Sequence, residues 1–377
     1  MPIRIAQVVE ATVGGVARHV IDLVTHLDPA EFSCVLYCSF QRPDSWKERM
    51  RALQGEGIVI RELNMTYPNP IAIRQLKHWV QRDEVDLLHM HSAKAGWLGR
   101  RAAREMGLPA VYTPHAFPFQ RTTDLLRPLY RQIEQRMAQY TAKIICVSAG
   151  EYAAGVAAGL PPEKMVVIPN GIDIAQWPVP APKDRYTIRR EFGIADEEVV
   201  VGALGRLVKQ KGYDLLLEAA DDFLADFPRA RLIIWGNGPQ RNALKRLALR
   251  LGLERVSFLG NTADPWRAYA AMDIFCAPSR WEAGPYAVLE AMAVGLPVVA
   301  SPVAGHTDYI VHETTGLLVP IDYPGPLAGA LRPLLADSDV RHAYGTAGHH
   351  RVEHEFTLEQ MVNRTAAVYK DVIRRKG

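Results

Sequence analysis

The chain has no apolar run approaching the roughly twenty residues a helix needs to cross a bilayer. Its opening stretch, Met1-Pro-Ile-Arg-Ile-Ala-Gln-Val-Val9, runs straight into a glycine turn and lacks the layout of a secretory leader. Cysteine is scarce. Cys34, Cys38, Cys146 and Cys276 each sit in an apolar, strand-like run, and none forms a Cys-x-x-Cys pair. This argues for buried, reduced thiols rather than a disulfide scaffold. A cytoplasmic location is the expectation. The net charge is only +3, which argues against general binding to nucleic acid.

Several catalytic signatures are also missing. No Gly-x-Ser-x-Gly element and no catalytic cysteine context occurs, which argues against acyl-transfer hydrolases. Thr12-Val13-Gly14-Gly15-Val16 follows the first strand but has no Walker lysine and is not a Gly-x-Gly-x-x-Gly fingerprint. There is no low-complexity segment and no short internal repeat.

What is present is length and alternation. At 377 residues the chain fits two domains, and 48% hydrophobic with 23% charged residues suits a globular enzyme. Strands are expected at Ile3–Val9, Ser33–Ser39, Ile58–Leu63, Asp86–Met90, Ala110–Thr113, Ile144–Ser148 and Met165–Pro169. Helical patterns lie between most of them, as at Val16–Leu27 with Val16, Val20, Leu23, Val24 and Leu27 on one face. Trp177-Pro-Val-Pro-Ala-Pro182 then reads as a stiff linker. A second alternation follows, with strands expected at Val199–Leu204, Arg231–Trp235, Arg255–Leu259, Ile274–Pro278, Pro297–Ala300 and Gly316–Pro320. The pattern predicts an α/β protein of two doubly wound halves, residues 1–176 and 177–356, with ligands at the carboxyl ends of the strands.

The chemistry concentrates in the second half. Glu282 and Glu290 bracket Ala-Gly-Pro-Tyr-Ala-Val-Leu. Glu282 falls in a strand-to-helix loop, and Glu290 about one and a half turns into a helix expected over Tyr286–Val294. Gly284 allows close approach to the backbone, and Pro285 suits the first helical position. Free amides at that helix start would take an anion, and two carboxylates would hold hydroxyls. Together these describe a nucleotide sugar, although a lone Glu on a helix is usually a solvated surface residue.

Other residues extend this reading. Gly205-Arg206 ends a strand, and Lys211-Gly212 precedes a helix near Tyr213, so two fixed cations could neutralise a diphosphate. Lys209 reads as a solvated loop charge. Gly236, Gly238 and Gly260 close successive strands and either line a nucleobase slot or simply turn the chain. Gly14 and Gly15 offer backbone amides or a tight turn. His115 lies past a strand end, suited to donate to a sugar hydroxyl or a developing charge. His89 and His91 fall on one strand face. His89 reads as a packing residue, and no metal cluster is apparent. Asp337-Ser-Asp339 reads as a helix cap.

These residues, in this order, resemble the retaining GT-B glycosyltransferases of family 4. The span Glu282–Glu290 is similar to that family's Glu-x7-Glu motif. Gly14-Gly15, His115, Pro169-Asn-Gly-Ile-Asp173, Gly205-Arg206 with Lys211-Gly212, Gly236-x-Gly238-Pro and Thr315-Gly-Leu-Leu-Val-Pro320 fall in the family's sequence. The resemblance implies two Rossmann-like domains facing across a cleft, with a final helix, about 357–377, crossing back to the first. It implies that Arg206 and Lys211 bind the donor diphosphate, aided by amides near Gly15, Pro285 and Tyr286. Glu290 would hold ribose hydroxyls and Glu282 the transferred sugar. His115 would act at the reaction centre, with His91, Asn170 and His306 in acceptor or sugar loops. No metal and no cofactor are expected. One departure stands out: where the family often has Gly-Gly-x-x-Glu, this chain has Ala304-Gly-His-Thr-Asp308, with His306 read as replacing the second glycine.

The implied reaction moves a sugar from a nucleotide-diphosphate donor, UDP by family frequency, to a sugar or polyprenyl-diphosphate-linked acceptor with retention. Such members build surface polysaccharide or glycolipid. A sugar-nucleotide epimerase or hydrolase, or a non-catalytic nucleotide-sugar binder, remains the alternative. Between Lys94 and Lys143 nine basic residues stand against three acidic ones. With Trp97, Leu98, Phe117, Phe119, Leu125 and Leu126 they suit either an anionic membrane surface or a solvated helix face.

Overall fold

The computed structural model describes residues 1–41, 46–65, 70–120 and 125–375, with only the backbone of Trp46. The chain forms two compact units, Met1–Asn170 with Leu358–Gly377, and Gly171–Thr357.

The first unit is built on β1 (Ile3–Val9), β2 (Phe32–Cys38), β3 (Val59–Glu62), β4 (Leu87–His91), β5 (Ala110–Thr113), β6 (Lys143–Cys146) and β7 (Met165–Val167). Their order is β3-β2-β1-β4-β5-β6-β7, and every pairing is parallel. Helices cover both faces of such a sheet, so its strands read as near-continuous apolar runs. Ile5 through Val9 are buried accordingly, with Gln7 the polar exception. Strand order reverses between β1 and β4, and in such sheets the crevice for a ligand opens there. β6 stops before Ser148 because that side chain accepts from Glu151 N–H and caps the next helix instead.

The terminal helix Leu358–Arg374 belongs to this unit. Leu358, Met361, Val362, Thr365, Tyr369 and Val372 are its buried residues, a spacing that places them on one face. They pack with Ile5, Leu23, Phe32, Leu87, Val111, Ile145 and Ile168.

The second unit holds β8 (Val199–Leu204), β9 (Ala230–Trp235), β10 (Val256–Gly260), β11 (Ile274–Ala277), β12 (Val298–Ala300) and β13 (Gly316–Leu318). The order is β10-β9-β8-β11-β12-β13, again all parallel. Its switch lies between β8 and β11.

Two expectations change here. The units divide at Asn170/Gly171, ahead of the proline-rich segment expected as the linker. Ile172 bridges Thr357 and its N–H donates to Phe356 O at 3.0 Å, which draws this stretch into the second unit. Trp177 is buried in that unit's core, and Trp266 Nε1 donates to Pro178 O at 2.8 Å.

The basic surface also shrinks. Leu98, Phe117 and Phe119 are core residues, and Trp97 is half-buried. Arg100 is buried and donates to both oxygens of buried Glu134, at 2.9 and 3.0 Å. Lys94 pairs with Glu10 at 3.0 Å. Arg121 and Asp124 lie outside the described residues. What remains exposed is Leu125 (88%), Leu126 (44%) and Leu129 (52%), with Arg101, Arg104, Arg131 and Arg136. No helix among the described residues is long and apolar enough to cross a membrane.

Candidate active site

In the second unit, the loops that follow β8 and β11 meet at the switch point. Gly205–Gly212 leaves β8 and enters the helix Tyr213–Asp226, and Pro278–Pro285 leaves β11 and enters the helix Tyr286–Ala293. Gly212 has φ +66°, and a Cβ there would stand 1.9 Å from Pro278 O, so only glycine lets the two loops touch. Arg280, which no sequence motif marks, ties them further. It donates to both Asp214 oxygens, at 2.8 and 2.7 Å, and to Lys209 O at 2.9 Å.

Lys211 Nζ donates to Glu282 Oε1 at 2.7 Å, and Ser279 Oγ to the same oxygen at 2.8 Å. Gln210 Nε2 reaches Oε2 at 3.3 Å. Burial works against the charge of Glu282. Lys211 and His306, with the hydrogen bonds from Lys211 and Ser279, outweigh it and hold the carboxyl below its ordinary range. Glu282 is therefore an ionised group with a fixed partner. Arg206 differs: its side chain is exposed and has no hydrogen bond or ion pair among the described residues.

Pro285 is the cap of the Tyr286–Ala293 helix, not its first residue as expected. Its φ of −76° and ψ of 119° are extended, and its own side chain makes no cap bond. A ring that fixes φ near −65° fits an extended cap as well as a first turn. The helix therefore begins at Tyr286, itself buried, with Gly284 in the loop just before. Glu290 is buried too, and its Oε2 accepts from Tyr269 Oη at 2.7 Å. One oxygen expected to hold a hydroxyl thus holds a tyrosine that the sequence reading missed.

The strand-end glycines have a packing reason. A Cβ on Gly236 would lie 1.9 Å from Gly205 O, and one on Gly238 2.5 Å from Leu207 O. Backbone bonds then stitch the three loops: Gly205 N to Trp235 O at 3.0 Å, Leu207 N to Asn237 O at 2.8 Å and Gly236 N to Gly260 O at 2.6 Å. These glycines hold the Arg206 loop in place, whatever else they line.

The loop after β12 corrects the reading of His306. Its glycine is present at Gly305, with φ +82°, where a Cβ would meet Ala283 O at 2.7 Å. His306 begins a short helix instead, and Asp308 accepts from Gly305 N–H at 3.2 Å, closing the loop on itself. The His306 ring is buried. Nδ1 donates to Ser301 O at 2.9 Å, and Nε2 has no partner among the described residues. Burial lowers its pKa to about 4, opposed by Glu282 and the bond to Ser301.

In the first unit, His91 ends β4, His115 follows β5, and Asn170 follows β7. The structure adds His19 from the helix Gly14–His26, whose first turn holds exposed Gly14 and Gly15. The signal was there: His19 lies between Val16 and Leu23 at helical spacing, a polar residue inside the apolar stripe. His19, His91 and His115 each bring one ligand atom within 4.8 Å of the others, so the expectation that no cluster assembles is overturned. The rings are already engaged. His91 Nδ1 lies 3.2 Å from His115 Nε2, and His19 Nδ1 lies 2.9 Å from Asn170 Oδ1. A cation would have to break the first of these bonds. His89 is the packing residue expected, buried between Tyr369 and Thr113.

His115 and Ala116 both have left-handed backbone, φ +50° and +72°. Strain of this kind persists only where the surroundings hold it, and it clusters at working sites. The holder is buried Glu151, which accepts from Ala116 N–H at 2.5 Å and Val147 N–H at 2.7 Å. No sequence motif marked it.

Two doubly wound units, each with polar loops at its switch point, define the GT-B class of glycosyltransferase. The profile for "Glycosyltransferase Family 4" matches residues 13–176 and that for "Glycosyl transferases group 1" residues 184–351. The chain is 31% identical over 306 residues to a D-inositol 3-phosphate glycosyltransferase of Kribbella flavida, covering 76% of this chain and 71% of that one. It is 29% identical to the Escherichia coli UDP-Gal:alpha-D-GlcNAc-diphosphoundecaprenol alpha-1,3-galactosyltransferase, covering 79% and 78%. A GDP-mannose-dependent monoacylated alpha-(1-6)-phosphatidylinositol monomannoside mannosyltransferase of Corynebacterium glutamicum is 28% identical, covering 93% of both. In fold it is similar to Anabaena Alr3699/HepE in complex with UDP, TM-score 0.86 at 22% identity, covering 98% and 100%. The chain belongs to glycosyltransferase family 4.

Proposed function

We propose that the chain is a retaining hexosyltransferase that moves a sugar from a UDP-sugar to a lipid-linked sugar acceptor in surface polysaccharide or glycolipid synthesis. The observation that carries this is the loop pair at the β8/β11 switch. Lys211 is fixed on Glu282, the exposed Arg206 side chain has no hydrogen bond or ion pair among the described residues, and the helix Tyr286–Ala293 starts beside them. Two cations beside a helix N-terminus suit a leaving diphosphate. The bond from sugar C1 to the phosphate oxygen breaks as the acceptor oxygen bonds C1 on the same face. The acceptor proton passes to the departing phosphate oxygen. Arg206 and Lys211 stabilise that charge without a metal, Glu282 and Glu290 position hydroxyls, and His115 holds the transferred sugar at the reaction centre.

A lipid-linked acceptor fits the names of the Escherichia coli and Corynebacterium relatives. It also fits exposed Leu125, Leu126 and Leu129 beside Arg131, apolar groups and a cation suited to an anionic bilayer surface. UDP is favoured by the Escherichia coli relative, and GDP-mannose by the relative with the widest coverage of the three.

The test is a panel of labelled UDP- and GDP-sugars with a polyprenyl-diphosphate-linked sugar acceptor, product anomericity being read by NMR. Transfer with retention from a UDP-sugar is expected. Donor turnover without acceptor would favour the epimerase or hydrolase. Donor binding without nucleotide release would leave a binding protein. A covalent glycosyl adduct on Glu282 would overturn its positioning role. Flotation with anionic liposomes at low salt should fail for Leu125→Asp/Leu129→Asp.

A further inference from the structure

The polar groups buried under β1, β4 and β5 form one chain of hydrogen bonds from the terminal helix to His115. Gln7 stands at its centre. Its Nε2 lies 3.1 Å from Tyr369 Oη, and its Oε1 2.8 Å from His91 Nε2. An amide nitrogen only donates and an amide oxygen only accepts. His91 therefore carries its proton on Nε2, and as a neutral ring it turns an accepting Nδ1 toward His115. The facing atom is His115 Nε2, at 3.2 Å, so that nitrogen bears the proton. The other end closes consistently. Tyr369 Oη accepts from Gln7 and donates to His89 Nδ1 at 2.6 Å, and His89 Nε2–H donates to Thr113 Oγ1 at 2.8 Å. Burial keeps His89 and His91 neutral.

We propose that Gln7, oriented by Tyr369, holds His115 in its Nε2–H tautomer through His91. Gln7, His91 and Tyr369 are positioning residues, and this role rests on the reading of His115 as a group at the reaction centre. The tautomer decides what the ring offers. With the Nε2 proton committed to His91, a neutral His115 carries no proton on Nδ1, so that nitrogen can accept a hydrogen bond but cannot donate one. The terminal helix, through one tyrosine hydroxyl, thereby fixes the chemistry of a loop far from it in sequence. The reverse polarity would need the Gln7 amide turned over, with its nitrogen against His91.

Long-range proton–nitrogen NMR of the full chain, with labelled histidine and assignment by single substitutions, tests this directly. Nε2–H tautomers at both His91 and His115 are expected. An Nδ1–H tautomer at either overturns the proposal. Turnover gives a second reading. His91→Leu removes the acceptor that faces His115 and should lower kcat at least about tenfold, the scale of groups that orient a working imidazole, with donor KM unchanged. His91→Asn, which keeps an acceptor near the Nδ1 position, should restore most of that loss. Wild-type kcat in folded His91→Leu would overturn the role. A wild-type chain inactive with every donor would sink the proposed function instead, and the NMR spectra would still decide the tautomer.

Discussion

Lys211 Nζ and Glu282 Oε1 lie 2.7 Å apart, joining the loops of β8 and β11 across the point where strand order reverses. The pair is largely enclosed, Glu282 at 8% exposure and Lys211 at 21%. Removing one partner of such a pair strands the other. Lys211→Ala should therefore cost about 3 kcal/mol of stability and on the order of a hundredfold in kcat/KM. Lys211→Met/Glu282→Gln should unfold at higher urea than additivity of the singles requires, because neither charge is then left alone. Urea titration and donor turnover read both.

Arg206 offers the contrast. Its exposed side chain makes no hydrogen bond or ion pair among the described residues, so Arg206→Ala should change stability by less than about 0.5 kcal/mol. Turnover should still fall on the order of a hundredfold. A thermal melt beside steady-state kinetics separates the two. A variant as active as wild type would remove Arg206 from the site.

Glu151 holds the strained turn at His115 and Ala116. Glu151→Gln leaves one acceptor for two amides and points an NH2 at the other. The cost should be about 2 kcal/mol, and kcat should drop more than donor KM changes. Chemical denaturation and kinetics check this, and unchanged kcat in a destabilised variant would make Glu151 merely structural.

His306 and His19 predict the acid limb of stability. Burial lowers each from an ordinary 6.5 to about 4. Between those values the unfolded chain binds protons that the folded chain does not. Stability is then full above about pH 6.5 and lost as pH falls toward 4. Each ring contributes up to about 3 kcal/mol to that loss. His306→Gln should flatten the decline, measured as urea midpoints from pH 7 to 4.5. An unchanged slope would count against the buried neutral ring.

Strands and their all-parallel order were legible because a sheet covered on both faces demands apolar runs, and β1, β8 and β11 supply them. That Arg206, Lys211 and Glu282 lie in strand-end loops, and Glu290 on the helix that follows, was legible from the strand–helix alternation around them. The unit boundary was misplaced because proline signals stiffness, while the pairing of Ile172 with Thr357 is a contact across the chain. The basic stretch from Lys94 misled for a similar reason: sequence counts Arg100 as a charge, but tertiary packing buries it against Glu134.

By itself, then, the sequence determined periodicity and the residues at strand ends, because those depend on neighbours two to four positions away. Tertiary structure decided the partners. Tyr269 for Glu290, Glu151 for the His115 turn, His19 beside His91, and Tyr369 behind Gln7 are contacts between distant elements. Burial requires each of those polar groups to find a partner, and only the fold decides which one is within reach.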